Sequence, residues 1–292
     1  MFLNLGSILS YRKSFQRWPK ILYRIANQSY PFEAKLKNGN DILVHGHTQI
    51  YFLLKNAEPP IFKKDDSTLL IQHKGKTIQF VDALENGEIY EIFAEESYKE
   101  LGISNSTVID IGANIGDSSI YFALSGAKKV IAIEPQLKSF QSLISNIRLN
   151  KLEDIIFPIR AGVGAKHEIA FVEASKANPS GGTGLRYNYG GEQMEMIDLH
   201  YIVENFLSDI NLLKIDCEGC EYEFFHYASP EDLRKFKKIM VEYHYGPKTI
   251  PYKLRQAGFH ITCNPSMRGY NTESKPHFMS TGIIAGTLND DV

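Results

Sequence analysis

The spacing of apolar positions changes along this chain, and each change marks a different kind of element. Phe15, Trp18, Leu22 and Ile25 recur at helical spacing, which predicts an amphipathic helix within the first thirty or so residues. From Tyr30 to Gln79 the pattern shortens to strands with hairpin punctuation. Lys37-Asn38-Gly39-Asn40 separates Phe32–Leu36 from Asp41–His45, and Asn-Gly readily adopts the positive φ angles of a tight hairpin turn. Lys74-Gly75-Lys76 separates Thr68–Gln72 from Thr77–Val81 in the same way, and Asn86 to Leu101 reads as helix.

From Thr107 onward strand and helix alternate, the pattern of a doubly wound parallel sheet. Val108–Ile111, Val130–Glu134, Ile155–Arg160, Asn211–Cys217 and Lys238–His244 are the predicted parallel strands, with His260–Cys263 and Gly282–Leu288 closing the sheet. The intervening helices include Asp117 to Leu124, stopped by Gly126, and a stripe of Phe140, Leu143, Ile144 and Ile147 at i, i+3, i+4, i+7. Another starts at Ser229 as N-cap with Pro230 at N1, and a further one ends at Gly258. The polar stretch Pro265–Ser280 links the two closing strands over the surface. The expected architecture is an α/β domain over residues 101–292, preceded by an N-terminal α+β extension over residues 1–100.

Composition narrows the partners. The chain has 292 residues, a net charge of −2 and 23% charged residues, so no global field marks a nucleic-acid binder. The first zone differs, with Arg12, Lys13, Arg17, Lys20 and Arg24 and no acid before Glu33. Such a helix could rest on an anionic membrane surface, but a helix packed on its own core with a solvated basic face is the preferred reading. Three cysteines suit a reducing compartment and imply no disulfide framework. Cys217 and Cys220 form a C-x-x-C without a second pair, and they read as small buried residues rather than a zinc or redox site. No apolar run approaches the ~20 residues needed to span a bilayer. Met1–Ser10 lacks the features of a secretion signal, so a soluble cytoplasmic protein is expected.

The candidate chemistry sits at the strand ends. Val108-Ile109-Asp110-Ile111-Gly112-Ala113-Asn114-Ile115-Gly116-Asp117 runs from strand through a glycine turn into a helix, the start of a nucleotide-binding βαβ unit. Gly112 and Gly116 form G-x-x-x-G rather than the G-x-G-x-x-G of dinucleotide cofactors. Glu134, closing the second strand, can accept hydrogen bonds from ribose hydroxyls. Together they point to S-adenosylmethionine, with an NAD(P)-dependent oxidoreductase as the weaker alternative. Lys214, Asp216, Glu218, Glu221, Glu242 and His244 cluster at two further strand ends, where ligands of open α/β sheets bind. Of these, His244 and Asp216 lead as general bases, with Glu242, Glu218 and Lys214 as further catalytic candidates; Lys214 reads equally as a side chain pointing to the sheet's other layer and pairing with a carboxylate. Asp216, Glu242 and His244 are competent metal ligands, but they lack a specific ligand spacing and no metal is assigned. The segment Ser180–Gly184 either closes over an acceptor or is a surface turn, and Arg186, Tyr187 and Tyr189 beside it would suit a sugar or aromatic acceptor.

Five runs in order make a resemblance specific: Ile109–Asp117, Ala132-Ile133-Glu134-Pro135, Asn146–Asn150, Leu213–Glu221 and Val241-Glu242-Tyr243-His244. The chain resembles the FkbM family of S-adenosylmethionine-dependent methyltransferases from about Thr107 to Leu288. Cys217 and Cys220 depart from it, standing where Val and Ala are usual. The resemblance implies a Rossmann-like class I methyltransferase fold. It implies that Asp110, Gly112 and Asn114 line the methionine end of the cofactor, that Gly116 lets the helix start close to it, that Glu134 holds the ribose, and that Ala161 leaves room for the adenine. It implies O-methylation of a hydroxyl on a sugar, glycolipid or other small molecule. Nucleic-acid methylation is disfavoured, because the fourth strand end lacks a Pro-Pro-aromatic run. A non-catalytic cofactor-binding or membrane-surface protein is the remaining alternative.

Overall fold

The computed structural model describes residues 5–39, 41–44, 46, 50, 54, 61–62, 68–83, 88–174, 185–265 and 281–289. Two compact units are present: Met1–Tyr98 with Arg148–Lys151, and Lys99–Ile147 with Leu152–Val292.

In the first unit, helices α1 (Leu5–Ser14) and α2 (Trp18–Ala26) precede a hairpin of β1 (Phe32–Lys35) and β2 (Asp41–Val44). The single amphipathic helix expected here is two. Phe15 leaves the helix to bridge Leu36, the Gln16 N–H donates to the Lys35 carbonyl (2.8 Å), and Arg17 turns left-handed at φ 48°. A tertiary contact thus overrides helical periodicity. Tyr11, Phe15, Ile21 and Ile25 are buried against Phe32, Ala34, Leu36, Ile42 and Val44, so the apolar face of the helices is covered by the hairpin. A three-stranded antiparallel sheet follows, β3 (Ile61–Phe62), β4 (Leu69–His73) and β5 (Lys76–Phe80), the last two joined by the predicted turn at Lys74-Gly75. The helix expected over Asn86–Leu101 is shorter: α3 (Glu88–Ala94) stops where Glu96 turns to φ 50°, and only a 3₁₀ turn (Lys99–Leu101) follows.

The second unit is built on seven strands: β6 (Thr107–Ile111), β7 (Lys129–Ile133), β8 (Ile156–Ile159), β13 (Asn211–Ile215), β14 (Lys238–Tyr243), β15 (Phe259–Pro265) and β16 (Gly282–Leu288). Their order across the sheet is β15-β16-β14-β13-β6-β7-β8, and β16 runs against its neighbours. Chain order therefore reverses between β6 and β13, the switch point where such sheets bind ligands. This is the class I methyltransferase arrangement. The helices are α4 (Asp117–Leu124), α5 (Leu137–Leu149), α6 (Leu199–Phe206), α7 (Cys220–Tyr227), α8 (Pro230–Leu233) and α9 (Ile250–Gln256).

Strand periodicity of two separates the faces. Ile109, Ile111, Ile131, Ile133, Leu213, Ile215, Ile239 and Val241 point to one layer, where they meet Ile202, Phe224, Phe225 and Leu254. Their alternates, Asp110, Lys214, Asp216, Glu242 and His244, share the opposite face, and α4 places Ser118 and Ser119 over Asp110. Between β8 and β13 lies an element the sequence reading leaves out, a four-stranded sheet ordered β11-β10-β12-β9. It comprises β9 (Gly162–Val163), β10 (Glu168–Ala174), β11 (Leu185–Tyr187) and β12 (Glu192–Ile197). The glycine-rich Ser180–Gly184 segment lies outside the described residues. Among the described residues no helix is long and apolar enough to cross a membrane.

Candidate active site

Two loops meet at the switch point. The turn after β6 is held by Gly112 and Ala113 N–H groups donating to the Ile133 carbonyl (3.0 and 3.1 Å), and the Asp216 N–H donates to the Ile111 carbonyl (3.0 Å). Gly112 has φ 78°, and a Cβ there would lie 1.7 Å from the Asp216 carbonyl oxygen, so only glycine lets the two loops touch. Gly116, at φ 94°, starts α4 against Leu143, whose Cδ1 would be 2.7 Å from any Cβ. Asn146, on α5, donates to the Ile115 carbonyl (2.9 Å) and fixes the same loop from behind.

Beneath the loop lies a closed charged pair. In register, Asp110 faces Lys214, and Lys214 Nζ stands 3.1 Å from Asp110 Oδ1. Lys214 also donates to the Gly112 carbonyl at 2.9 Å, while Asp110 Oδ2 accepts from the Ser118 and Ser119 hydroxyls at 2.7 and 2.5 Å. Asp110 is 0% and Lys214 3% exposed. Asp110 shows no surface to a ligand here, and of the two readings of Lys214 the geometry matches the side chain paired with a carboxylate beneath the turn. Ala161, also 0% exposed, lies within the apolar core.

Glu134 receives the Asn114 N–H on Oε2 (2.9 Å) and the Gln136 N–H on Oε1 (2.8 Å). Each oxygen keeps a further lone pair. Burial raises its pKa to about 7 against these two hydrogen bonds and the pull of Lys214.

The upper cluster is largely buried and rich in carboxylates. Glu218, at φ 57°, and Gly219, at φ 127°, make a turn into α7, and the Gly219 N–H donates to Glu221 Oε2 (2.8 Å). Glu221 is wholly buried, and its Oε1 accepts from both the backbone N–H and the Nδ1 of His244, each at 3.1 Å. The other imidazole nitrogen faces Asp216 Oδ1 and Glu218 Oε2, both at 3.5 Å. Burial works against the charged ring, but the Glu221 hydrogen bond and the carboxylates of Asp216, Glu221 and Glu218 outweigh it and raise the pKa to about 9. A pKa raised that far favours the protonated ring at neutral pH, which weighs against His244 as the base. Glu221 is the group the sequence reading undervalues. Its signal was a carboxylate placed in the first turn of a helix after a glycine.

Glu242 completes the cluster. Burial, then the neighbouring Asp216, raises its pKa to about 7, with His244 and Lys214 pulling the other way and Glu218 adding to the rise. The C-x-x-C is also corrected: Cys217 and Cys220 form a disulfide, with Cα atoms 5.5 Å apart, that spans Glu218 and Gly219. Two cysteines three apart across a tight turn come within bonding reach, a contact that counting cysteines does not reveal. Among the described residues no set of three or more His, Cys, Asp or Glu is arranged to hold a metal ion.

Comparison with known proteins places this geometry. The family model described as "Methyltransferase FkbM domain" matches residues 110–261, from the buried Asp110 through β15. The chain belongs to that family. The family couples methyl transfer to S-adenosylmethionine, and the residues present fit that cofactor. Asp216, Glu218 and Glu242 leave the cluster rich in negative charge, suited to a sulfonium and an ammonium, and Glu134 holds lone pairs at a strand end. The FkbM assignment also favours a methyl donor over a nicotinamide at the G-x-x-x-G turn. A short stretch is 49% identical over 47 residues to a tRNA(Phe) (4-demethylwyosine(37)-C(7)) aminocarboxypropyltransferase from Pyrococcus horikoshii, and it spans 16% of this chain and 17% of that relative. Among solved structures, the M. jannaschii tRNA m1G37 methyltransferase is similar at 14% identity and TM-score 0.42, covering 86% of this chain and 72% of that one. M. jannaschii TYW2 in complex with AdoMet is similar at 17% identity and TM-score 0.39, covering 77% and 88%. The fold assignment stands on strand order and register, independently of these likenesses.

Proposed function

We propose that this FkbM-family chain is an S-adenosylmethionine-dependent O-methyltransferase acting on a hydroxyl of a sugar, glycolipid or other small molecule. When bound, the cofactor supplies an electrophilic methyl group on a sulfonium sulfur. Glu134 would hold the ribose hydroxyls, and Gly112, Asn114 and Gly116 would shape the turn beside the methionine end. An acceptor hydroxyl that received this methyl group would have to lose its proton. Glu242 takes that proton. Its carboxylate stands on the ligand side of the sheet with a pKa near 7, matched to a base working at neutral pH. His244, as imidazolium, holds Asp216 and Glu218 in place and balances their charge.

This assignment of base is supported by the place of Glu242 on the sheet face it shares with Asp216 and His244, where burial and like charge raise it to about 7 while the carboxylates around His244 raise the ring to about 9. Glu242 must be ionised and His244 protonated, so kcat/KM should rise with pH through about 7 and fall through about 9. Formation of S-adenosylhomocysteine and of a methyl ether, followed by mass spectrometry over a panel of sugars and glycolipids, tests the reading. By-product formation with RNA alone would overturn the small-molecule acceptor. Cofactor binding without turnover on any acceptor would favour the non-catalytic alternative.

A further inference from the structure

The first unit carries a surface that the methyl-transfer reading does not use. Arg12, Lys13, Arg17, Lys20 and Arg24 are all exposed or half-exposed on α1, α2 and the turn between them. Among the described residues none of the five makes an ion pair, and Arg24 lies over the Phe32 ring at 5.7 Å. The acids up to Val44 are Glu33 and Asp41, and Asp41 stands 3.9 Å from Lys35. This concentration of free cations occurs in a chain whose net charge is −2.

The geometry of the helices sorts the rest. At 3.6 residues per turn, Leu9 and Lys13 lie opposite the buried Tyr11, while Lys20 and Tyr23 lie opposite the buried Ile21 and Ile25. The cationic face thus carries two large apolar side chains in the open, Leu9 at 50% and Tyr23 at 71% exposure. Because the hairpin already covers the other face, the helices cannot dock by inserting an apolar stripe. What they offer is a rigid cationic surface with an aliphatic and an amphipathic aromatic side chain set among the charges. Tyrosine favours the headgroup level of a bilayer, and clustered Lys and Arg favour anionic lipid.

We infer that the outer face of α1 and α2 is a docking surface for anionic phospholipid headgroups. Charge complementarity selects the lipid, and Leu9 and Tyr23 favour a bilayer over a nucleic acid, whose phosphates give an aliphatic side chain nothing to enter.

The test uses the full chain with vesicles of phosphatidylcholine alone or mixed with phosphatidylserine, read by co-sedimentation. Binding should appear only with phosphatidylserine and weaken as salt rises. Each of Lys13→Gln and Lys20→Gln should lower the partition coefficient about fivefold, the effect of one cation near such a surface. Tyr23→Ala should lower it further in the Lys20→Gln background. Circular dichroism establishes that these surface variants remain folded, and turnover on a water-soluble acceptor should be unchanged. Equal binding to both vesicle types, absence of binding, or cation-dependent binding to RNA without vesicle binding would each overturn the inference.

Discussion

Asp110 and Lys214 sit one strand step below Asp216, Glu242 and His244 on the same face of the sheet, and the two layers are satisfied differently. In the lower layer Asp110 has Lys214, Ser118 and Ser119, and Lys214 adds the Gly112 carbonyl. Both residues are sealed from water, and the charge of Asp110 is balanced by Lys214. In the upper layer the contacts of His244 to Asp216 and Glu218 stretch to 3.5 Å, and Glu242 is pressed by like charge. A buried, charge-balanced pair builds the loop. On the ligand side Glu242, raised to about 7, titrates in the working pH range, where chemistry needs it. Nearly identical residue types thus do different work two positions apart.

Changing one group in each layer should break the comparison in opposite ways. Glu242→Gln keeps the side chain's size and removes the base, so turnover should fall about 10²–10⁴-fold. Cofactor affinity, measured calorimetrically with S-adenosylhomocysteine, should stay within a few-fold. Near-normal turnover would move the base to Asp216 or Glu218. Lys214→Met acts on stability instead, because it strands a buried carboxylate, and denaturant unfolding should show a loss of about 3–5 kcal/mol. Adding Asp110→Asn should recover much of that loss, since the uncompensated charge then disappears. A single variant as stable as the parent would show that water or another cation reaches Asp110.

Glu221 links the layers' logic to His244. Glu221→Gln retains an acceptor for the ring but removes a charge, so the alkaline limb of the pH–rate profile should move down by about 1 unit from about 9. The acid limb, set by Glu242, should move much less. A merely structural Glu221 would lower activity at every pH and leave the alkaline limb in place.

Much of the lower layer and the sheet was legible in the sequence. Apolar runs such as Thr107–Ile111 and Asn211–Ile215 announced strands buried on both faces, and turn residues such as Gly112, Gly116 and Gly126 bounded them. Positions along strands are local information, so Asp110, Glu134, Lys214 and Glu242 fell at strand ends as read. Their environments are not local. Asp110 disappears from the surface because two serines of α4 close over it, and the protonated form of His244 is stabilised by a carboxylate on α7. The small four-stranded sheet escaped notice for a different reason. In β10 the exposed positions are Ile169 and Phe171 while the buried ones are Ala170 and Val172, so apolar alternation carried no signal. The break in the first helix likewise depends on Leu36, twenty residues away.

The smallest expected effect concerns what holds the upper layer together. Two devices cross the turn at Glu218-Gly219: the Cys217–Cys220 disulfide and the Glu221 carboxylate that accepts from Gly219 and His244. A crosslink closing so short a loop removes little entropy from the unfolded chain, so its loss should cost no more than about 2 kcal/mol. Glu221, by contrast, makes contacts in the folded site itself and reaches His244. The variant Cys217→Val with Cys220→Ala keeps small apolar side chains at both positions, so packing changes little. It should unfold at a slightly lower denaturant midpoint, bind S-adenosylhomocysteine with unchanged affinity, and keep the alkaline limb of its pH–rate profile near that of the parent. If the variant instead loses cofactor binding, or if its alkaline limb moves as Glu221→Gln is expected to move it, the covalent link and not the carboxylate positions His244. The contrast between a sealed lower layer and an upper layer set by hydrogen bonds would then have to be redrawn around the disulfide.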